Sequence, residues 1–193
     1  YISVFLTVAF TSVVFGQEPT LSELISLHAQ DLKPIKNEIQ ASIEEQQKEL
    51  IQISDAIWEA AETSLEEFTS SKLLKDYALA NGFEVTENVA DIPTAFMAKY
   101  GSGKPVIGIL GEFDANAGIS QKRQPTKAAR IEGAAGHGCG HNLFGTASLG
   151  AAVAIKQQIE KGTFSGTVIF YGTPAEETIF AKVWMVREAA IDQ

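Results

Sequence analysis

Pro105-Val-Ile-Gly-Ile-Leu110, continued at once by Gly111-Glu112-Phe113-Asp114, is an apolar run of strand length that ends in two acids. Gly166-Thr-Val-Ile-Phe-Tyr171 repeats the arrangement, leading through Gly172-Thr-Pro174 to Glu176-Glu177. Between the two, from His141 to about Lys161, small and apolar residues recur with helical spacing until Gly162 ends the run. Buried-type strands alternating with helices predict an α/β domain with a mostly parallel central sheet flanked by helices. In such sheets ligands bind beyond the carboxyl ends of the strands. Glu112, Asp114, Glu176 and Glu177 are therefore candidates for one site.

The loop that feeds the intervening helix is Gly136-His137-Gly138-Cys139-Gly140-His141. It holds the chain's one cysteine and two of its three histidines. In an extended backbone, residues two apart share a face, so His137, Cys139 and His141 are expected to converge on one point. Thiolate, imidazole and carboxylate are the ligands zinc prefers, and a closed structural site would show paired cysteines, which are absent. A metal lowers the pKa of a coordinated water, and a carboxylate beside it then serves as general base. Adjacent glutamates on an irregular backbone diverge, so one can bind metal while the other meets the water. Blander readings stand beside this one. The loop can be a turn with incidental histidines, and an acidic pair at a helix start commonly complements the helix dipole. Glu112 and Asp114 can be ordinary loop acids. His28 lies in a polar stretch and reads as a surface residue. Gly101-Ser-Gly103-Lys104 lacks phosphate-loop spacing and reads as a hairpin turn.

The wider chain fits an ordinary globular protein: 193 residues, 45% hydrophobic and 20% charged. A net charge of −9, with no Lys/Arg cluster, excludes a nucleic-acid surface. Tyr1 to Phe15 are uncharged and mostly apolar, too short for a comfortable membrane span. They read as the apolar region of a secretory signal, which predicts export to a periplasm or the medium. The division expected is a signal remnant over 1–16, a helical lead-in over 17–36, and the catalytic domain over 37–193. Thr20-Leu-Ser-Glu23 and Ser64-Leu-Glu-Glu67 have capping-box spacing. Helices are predicted from about Asn37 to Ala61 and from Ser64 to Ala80, and strands over 83–85 and 94–100.

Pro93-Thr-Ala-Phe-Met-Ala, Gly101-Ser-Gly-Lys-Pro-Val-Ile-Gly, Leu110-Gly-Glu-Phe-Asp-Ala115, Gly118-Ile-Ser-Gln121, Gly136-His-Gly-Cys-Gly-His-Asn-Leu143 and Tyr171-Gly-Thr-Pro-Ala-Glu-Glu177 occur in this order. Together they resemble the metal-dependent amidohydrolases of the aminoacylase/carboxypeptidase superfamily, in the branch of the aminobenzoyl-glutamate utilisation hydrolases. The resemblance covers roughly residues 40–190. It implies a zinc-peptidase-like catalytic domain holding two divalent ions, Zn or Mn, in each full-length protomer. Cys139 is implied to link the two metals, His141 and Glu177 to be metal ligands, and Glu176 to be the base. Asp114 takes the place of a supporting acid, Glu112 that of a ligating His in other branches, and His137 a supporting position or that of an alternate ligand. The implied reaction is hydrolysis of N-acyl or N-aroyl amino acids, aminobenzoyl-glutamate-like compounds among them.

Members of this family are longer. They carry another His ligand soon after the Glu-Glu pair, a distal His, and a lid domain that often dimerises. No His follows His141 here, and Thr178-Ile-Phe-Ala181 stands where a glycine-rich turn is expected. The chain therefore reads as an N-terminal fragment without the lid, weakly active or inactive alone. Two other classes remain open: a non-catalytic metal- or ligand-binding remnant of the same fold, and a thiol protein using Cys139.

Overall fold

Residues 32–188 are described in the computed structural model. The expected signal segment, the Thr20 capping box and His28 lie outside the described residues. The chain divides into two units between Asn37 and Glu38. Of the first, only the opening turn of helix α1, Lys33–Ala60, is described. Pro34 sits in that first turn, where its missing N–H costs nothing, so the helix starts earlier than the sequence suggests.

Helix α2, Phe68–Ala80, follows, and Asn81-Gly82 ends it as expected, with Gly82 at φ 78°. Strand β1, Glu84–Glu87, pairs antiparallel with β2, Phe96–Ser102. Strand β3 is Val106–Gly111, helix α3 His141–Glu160 and strand β4 Gly166–Gly172. The short helices α4, Glu176–Ile179, and α5, Ala181–Arg187, complete the described chain. None of its helices is long and apolar enough to cross a membrane.

The α/β architecture is as predicted, a four-stranded sheet flanked by helices in the order β1-β2-β4-β3. The sheet is mixed, however: β3 runs parallel to β4, while β2 pairs antiparallel with β4 and with β1. Nor does the Gly101–Lys104 turn close a hairpin. It carries the chain across β4, with Ser102 opposite Gly166 on one side and Val106 opposite Thr167 on the other. The two apolar strands also fare differently. Every residue of β4 is buried, whereas β3 lies at the sheet edge and exposes Val106, Ile107 and Leu110.

The core lies between the sheet and the helices. Ile57 of α1, Leu74 of α2, Leu149 and Val153 of α3, and Phe96, Phe113, Val168 and Phe170 are at most 1% exposed. Burying a side chain of this size stabilises the fold by about 1.5–3 kcal/mol. Helix α3 packs unusually close to the end of β3. A Cβ at Gly145 would lie 2.4 Å from the carbonyl oxygen of Glu112.

The helix starts carry one correction. Ser64 does not cap α2; its hydroxyl is buried without a hydrogen-bond partner. The Glu62 carboxylate does that work instead, accepting the N–H groups of Thr69 and Ser70, each at 2.8 Å. Glu67, expected to close the capping box, turns inward and is fully buried.

Candidate metal centre

The parallel register sets Gly111 opposite Gly172, so β3 and β4 end side by side. Glu112 and Asp114 leave one strand where Thr173 to Glu177 leave the other. The Thr173 N–H ties the two exits together by donating to the Gly111 carbonyl at 2.9 Å. The Gly/His/Cys loop arrives from the side. It is pinned by the Asn116–Gly136 bridge and by the Cys139 N–H, which donates to Asn116 Oδ1 at 3.2 Å. Gly140, at φ 91°, turns the chain into α3, a left-handed conformation that glycine adopts without steric cost. His141 is the first residue of that helix and is 4% exposed.

His141 is held at both ring nitrogens. Its Nδ1 lies 2.8 Å from Asp114 Oδ1, and its Nε2 lies 3.0 Å from Glu112 Oε2. Beyond Glu112 are Glu177 Oε1 at 3.8 Å and Glu176 Oε2 at 4.0 Å from Nε2. Asp114 is almost wholly buried, and its second oxygen accepts the Glu177 N–H at 2.9 Å. Lys182 of α5 pairs with Glu112 Oε1.

Titration follows from this packing. Burial works against the imidazolium, yet Asp114 and, less strongly, Glu112 and Glu177 hold the His141 pKa above its ordinary value. Burial would raise Asp114, but the His141 hydrogen bond and the Glu177 amide bring it below the usual carboxylate range. Cys139, exposed at the rim, has its thiol pushed up by desolvation and by Glu177, Glu176 and Glu112. A thiol surrounded by acids is a poor free nucleophile, which counts against the redox reading.

Among the described residues, two groups have ligand atoms all within 4.8 Å of one another: Cys139, His141 and Glu177, and Glu112, His141 and Glu176. His141 belongs to both. The donor set mixes thiol, imidazole and carboxylate, all groups that a zinc-type ion accepts. Glu177 Oε1 is buried and has no hydrogen-bond partner, an acceptor aimed into the cluster that a cation would satisfy. The residues present therefore fit a divalent metal.

The expected three-ligand convergence of the loop does not occur. The loop is bent at its bridge and at Gly140, so His137 faces α1, its Nε2 3.1 Å from the Ile57 carbonyl oxygen. Burial lowers its pKa, and it stands outside both ligand groups. Sequence reasoning missed Lys182, Asn116 and the inward turn of Glu67. None belongs to a motif with a chemical signature, because each acts through a contact distant in sequence. The turn after Glu177 is made without glycine. Phe180 takes a left-handed conformation at φ 52°, a cost of about 1–2 kcal/mol for an L-residue.

No family model matches the chain. It is 48% identical over 157 residues to one of the subunits of the p-aminobenzoyl-glutamate hydrolase of Escherichia coli (strain K12), covering 80% of this chain and 32% of that protein. It is 30% identical over 130 residues to thermostable carboxypeptidase 2 of Saccharolobus solfataricus, covering 66% and 32%. The chain thus spans about a third of the length of these curated relatives. A dinuclear metal-binding peptidase from Bacillus subtilis shares the fold, with a TM-score of 0.61 at 21% identity over 76% of this chain and 41% of that one. The ordered motifs, the mixed sheet with its strand-end acids, and the extent of identity to the Escherichia coli hydrolase lead to one assignment: the chain belongs to the metal-dependent amidohydrolases and peptidases of the aminoacylase/carboxypeptidase superfamily.

Proposed function

We propose that the chain carries metal-binding and base residues of a hydrolase that cleaves the amide bond of an N-acyl or N-aroyl amino acid. The observation that carries this reading is the Cys139, His141 and Glu177 group, with its orphaned Glu177 oxygen and Glu176 adjacent. An aminobenzoyl-glutamate-like substrate is supported by the 48% identity to the Escherichia coli hydrolase. That relative is one subunit of its enzyme, which supports assembly of this protein with a further chain. Zn or Mn, in a two-ion centre with other ligands, fits the donor set, and the apolar Tyr1–Phe15 segment supports export as part of the proposal.

Cys139 Sγ, His141 Nε2 and Glu177 Oε1 would hold the ion. When bound, a divalent ion supplies an acidified water and an electrophile for the amide carbonyl. Asp114 fixes the imidazole through Nδ1, which leaves Nε2 as the ligating nitrogen. Glu176, more exposed than Glu177, takes the water's proton at its carboxylate and returns it to the departing amine.

The test is metal content and amide hydrolysis of the full-length protein and of its Glu176→Gln variant. Retained zinc with release of aminobenzoate cut by about 10²-fold or more is expected of a base. Zinc lost on dialysis from the unaltered protein, or undiminished hydrolysis by Glu176→Gln, rejects the reading.

A further inference from the structure

Glu67 is a fully buried carboxylate that the proposed chemistry does not use. It sits at the start of α2, distant in sequence from every residue of the metal centre. Its Oε1 accepts the N–H of Ala175 at 2.9 Å, and its Oε2 accepts the Thr94 hydroxyl at 2.9 Å. Thr94 is buried too, and its carbonyl accepts the Ser71 hydroxyl at 2.8 Å, which ties the link back to α2. Burial pushes the Glu67 pKa up, and hydrogen bonds from its own amide, Thr94 and Ala175 pull against that rise.

The segment that Glu67 reaches needs holding. Strand β4 ends at Gly172, and Thr173 is the last residue bonded to β3. Ala175 follows at φ 54°, a left-handed conformation costing an L-residue about 1–2 kcal/mol. Strained backbone of this kind persists only where its surroundings over-determine it. The Ala175 amide is fully enclosed, and without Glu67 it would be a buried donor with no acceptor.

We propose that Glu67 is a positioning residue for the Glu176–Glu177 pair, setting the metal centre's geometry from a separate helix. Two buried carboxylates hold alternate amides of this turn: Glu67 takes Ala175, and Asp114 takes Glu177. Glu176 lies between the two anchors, its backbone fixed on both sides and its carboxylate left free to face His141. Asp114 does this from within the centre, where it also holds the imidazole. Glu67 does it from outside, so α2 and the Thr94 segment become part of what places the ligands.

This inference rests on the metal site proposed above, and Zn²⁺ titration of the intact chain tests the two separately. The unaltered protein should bind Zn²⁺; if it does not, the site itself fails and this role falls with it. Given binding, Glu67→Ala should weaken Zn²⁺ affinity about tenfold or more, as loss of an orienting partner does. Glu67→Gln keeps an acceptor for the Ala175 amide and should recover to within about threefold. Phe83→Ala, a core truncation at the entry to β1 and off the helix that carries His141, should lower the unfolding midpoint while leaving Zn²⁺ affinity unchanged. A merely structural Glu67 would show no such split. If Glu67→Ala does not fold, Glu67→Asp withdraws the carboxylate by one methylene and must weaken Zn²⁺ binding. Unaltered affinity in Glu67→Ala or Glu67→Asp, or equal loss in Phe83→Ala, overturns the assignment.

Discussion

The two edges of the His141 ring face opposite surroundings. At Nδ1 stands a single buried acid, Asp114, whose other oxygen is already committed to the Glu177 amide. At Nε2 stand three acids at 3.0 to 4.0 Å, each partly exposed, one of them shared with Lys182. The first edge has one arrangement and no room for another. The second has three carboxylates in reach, each with part of its surface open. This asymmetry suits a histidine that is held in one tautomer and, in the function proposed above, meets a cation.

The largest effect that would break the comparison is expected at the buried edge. Asp114→Asn should lower Zn²⁺ affinity by about 10- to 100-fold although Asp114 belongs to neither ligand group. A chelator-competition titration reads this directly, and affinity equal to the unaltered protein would mean the two edges do not differ in role. At the open edge, Glu112→Gln should shift affinity by no more than about threefold, because Lys182 and two further acids remain in place. A loss there as large as that of Asp114→Asn would make Glu112 a ligand in its own right.

The smallest effect is in the pH dependence of chelator-treated protein. Asp114 is lowered on folding, so its contribution is present above the unfolded value near 3.9 and fades as pH falls through the folded one. His141 is raised, so its contribution is present below about 6.5 and fades as pH rises through its folded value. The pair therefore stabilises most between about pH 4 and 6.5, and urea midpoints should decline above that window. Asp114→Asn should flatten the decline. A decline of undiminished slope in the variant would place its cause elsewhere. Zn²⁺ should bind more tightly as pH rises, since it displaces the His141 proton.

Much of this site was legible because its chemistry is carried by residue types that cluster in sequence. The Gly/His/Cys loop and the Glu176-Glu177 pair needed only the strand ends to be placed, and both strands were readable as apolar runs. What the sequence did not disclose was decided by partners far along the chain. Gly101–Lys104 has hairpin composition, yet both flanking strands pair with β4, which the chain has not reached at that point. Val106, Ile107 and Leu110 look like core residues, but an edge position exposes them, and hydropathy does not distinguish an edge from a centre. Ser64 and Glu67 have capping-box spacing, but Glu62 supplies a better cap and Glu67 meets a stronger demand at Ala175. His137 shares its loop with two members of a ligand group, and only the bend of the backbone separates it from them.

Gly145 gives the centre its scale. Ordinary contact begins near 3.4 Å, so a side chain there, with its Cβ 2.4 Å from the Glu112 carbonyl, would force α3 back by about an ångström. His141 stands one turn earlier on the same helix and would retreat with it, away from Glu112 and Asp114 at the end of β3. Misplacement of that size is enough to cost an enzyme about 10²-fold. The spacing of the proposed metal centre is thus measured out by a hydrogen atom, on a residue outside both candidate ligand groups.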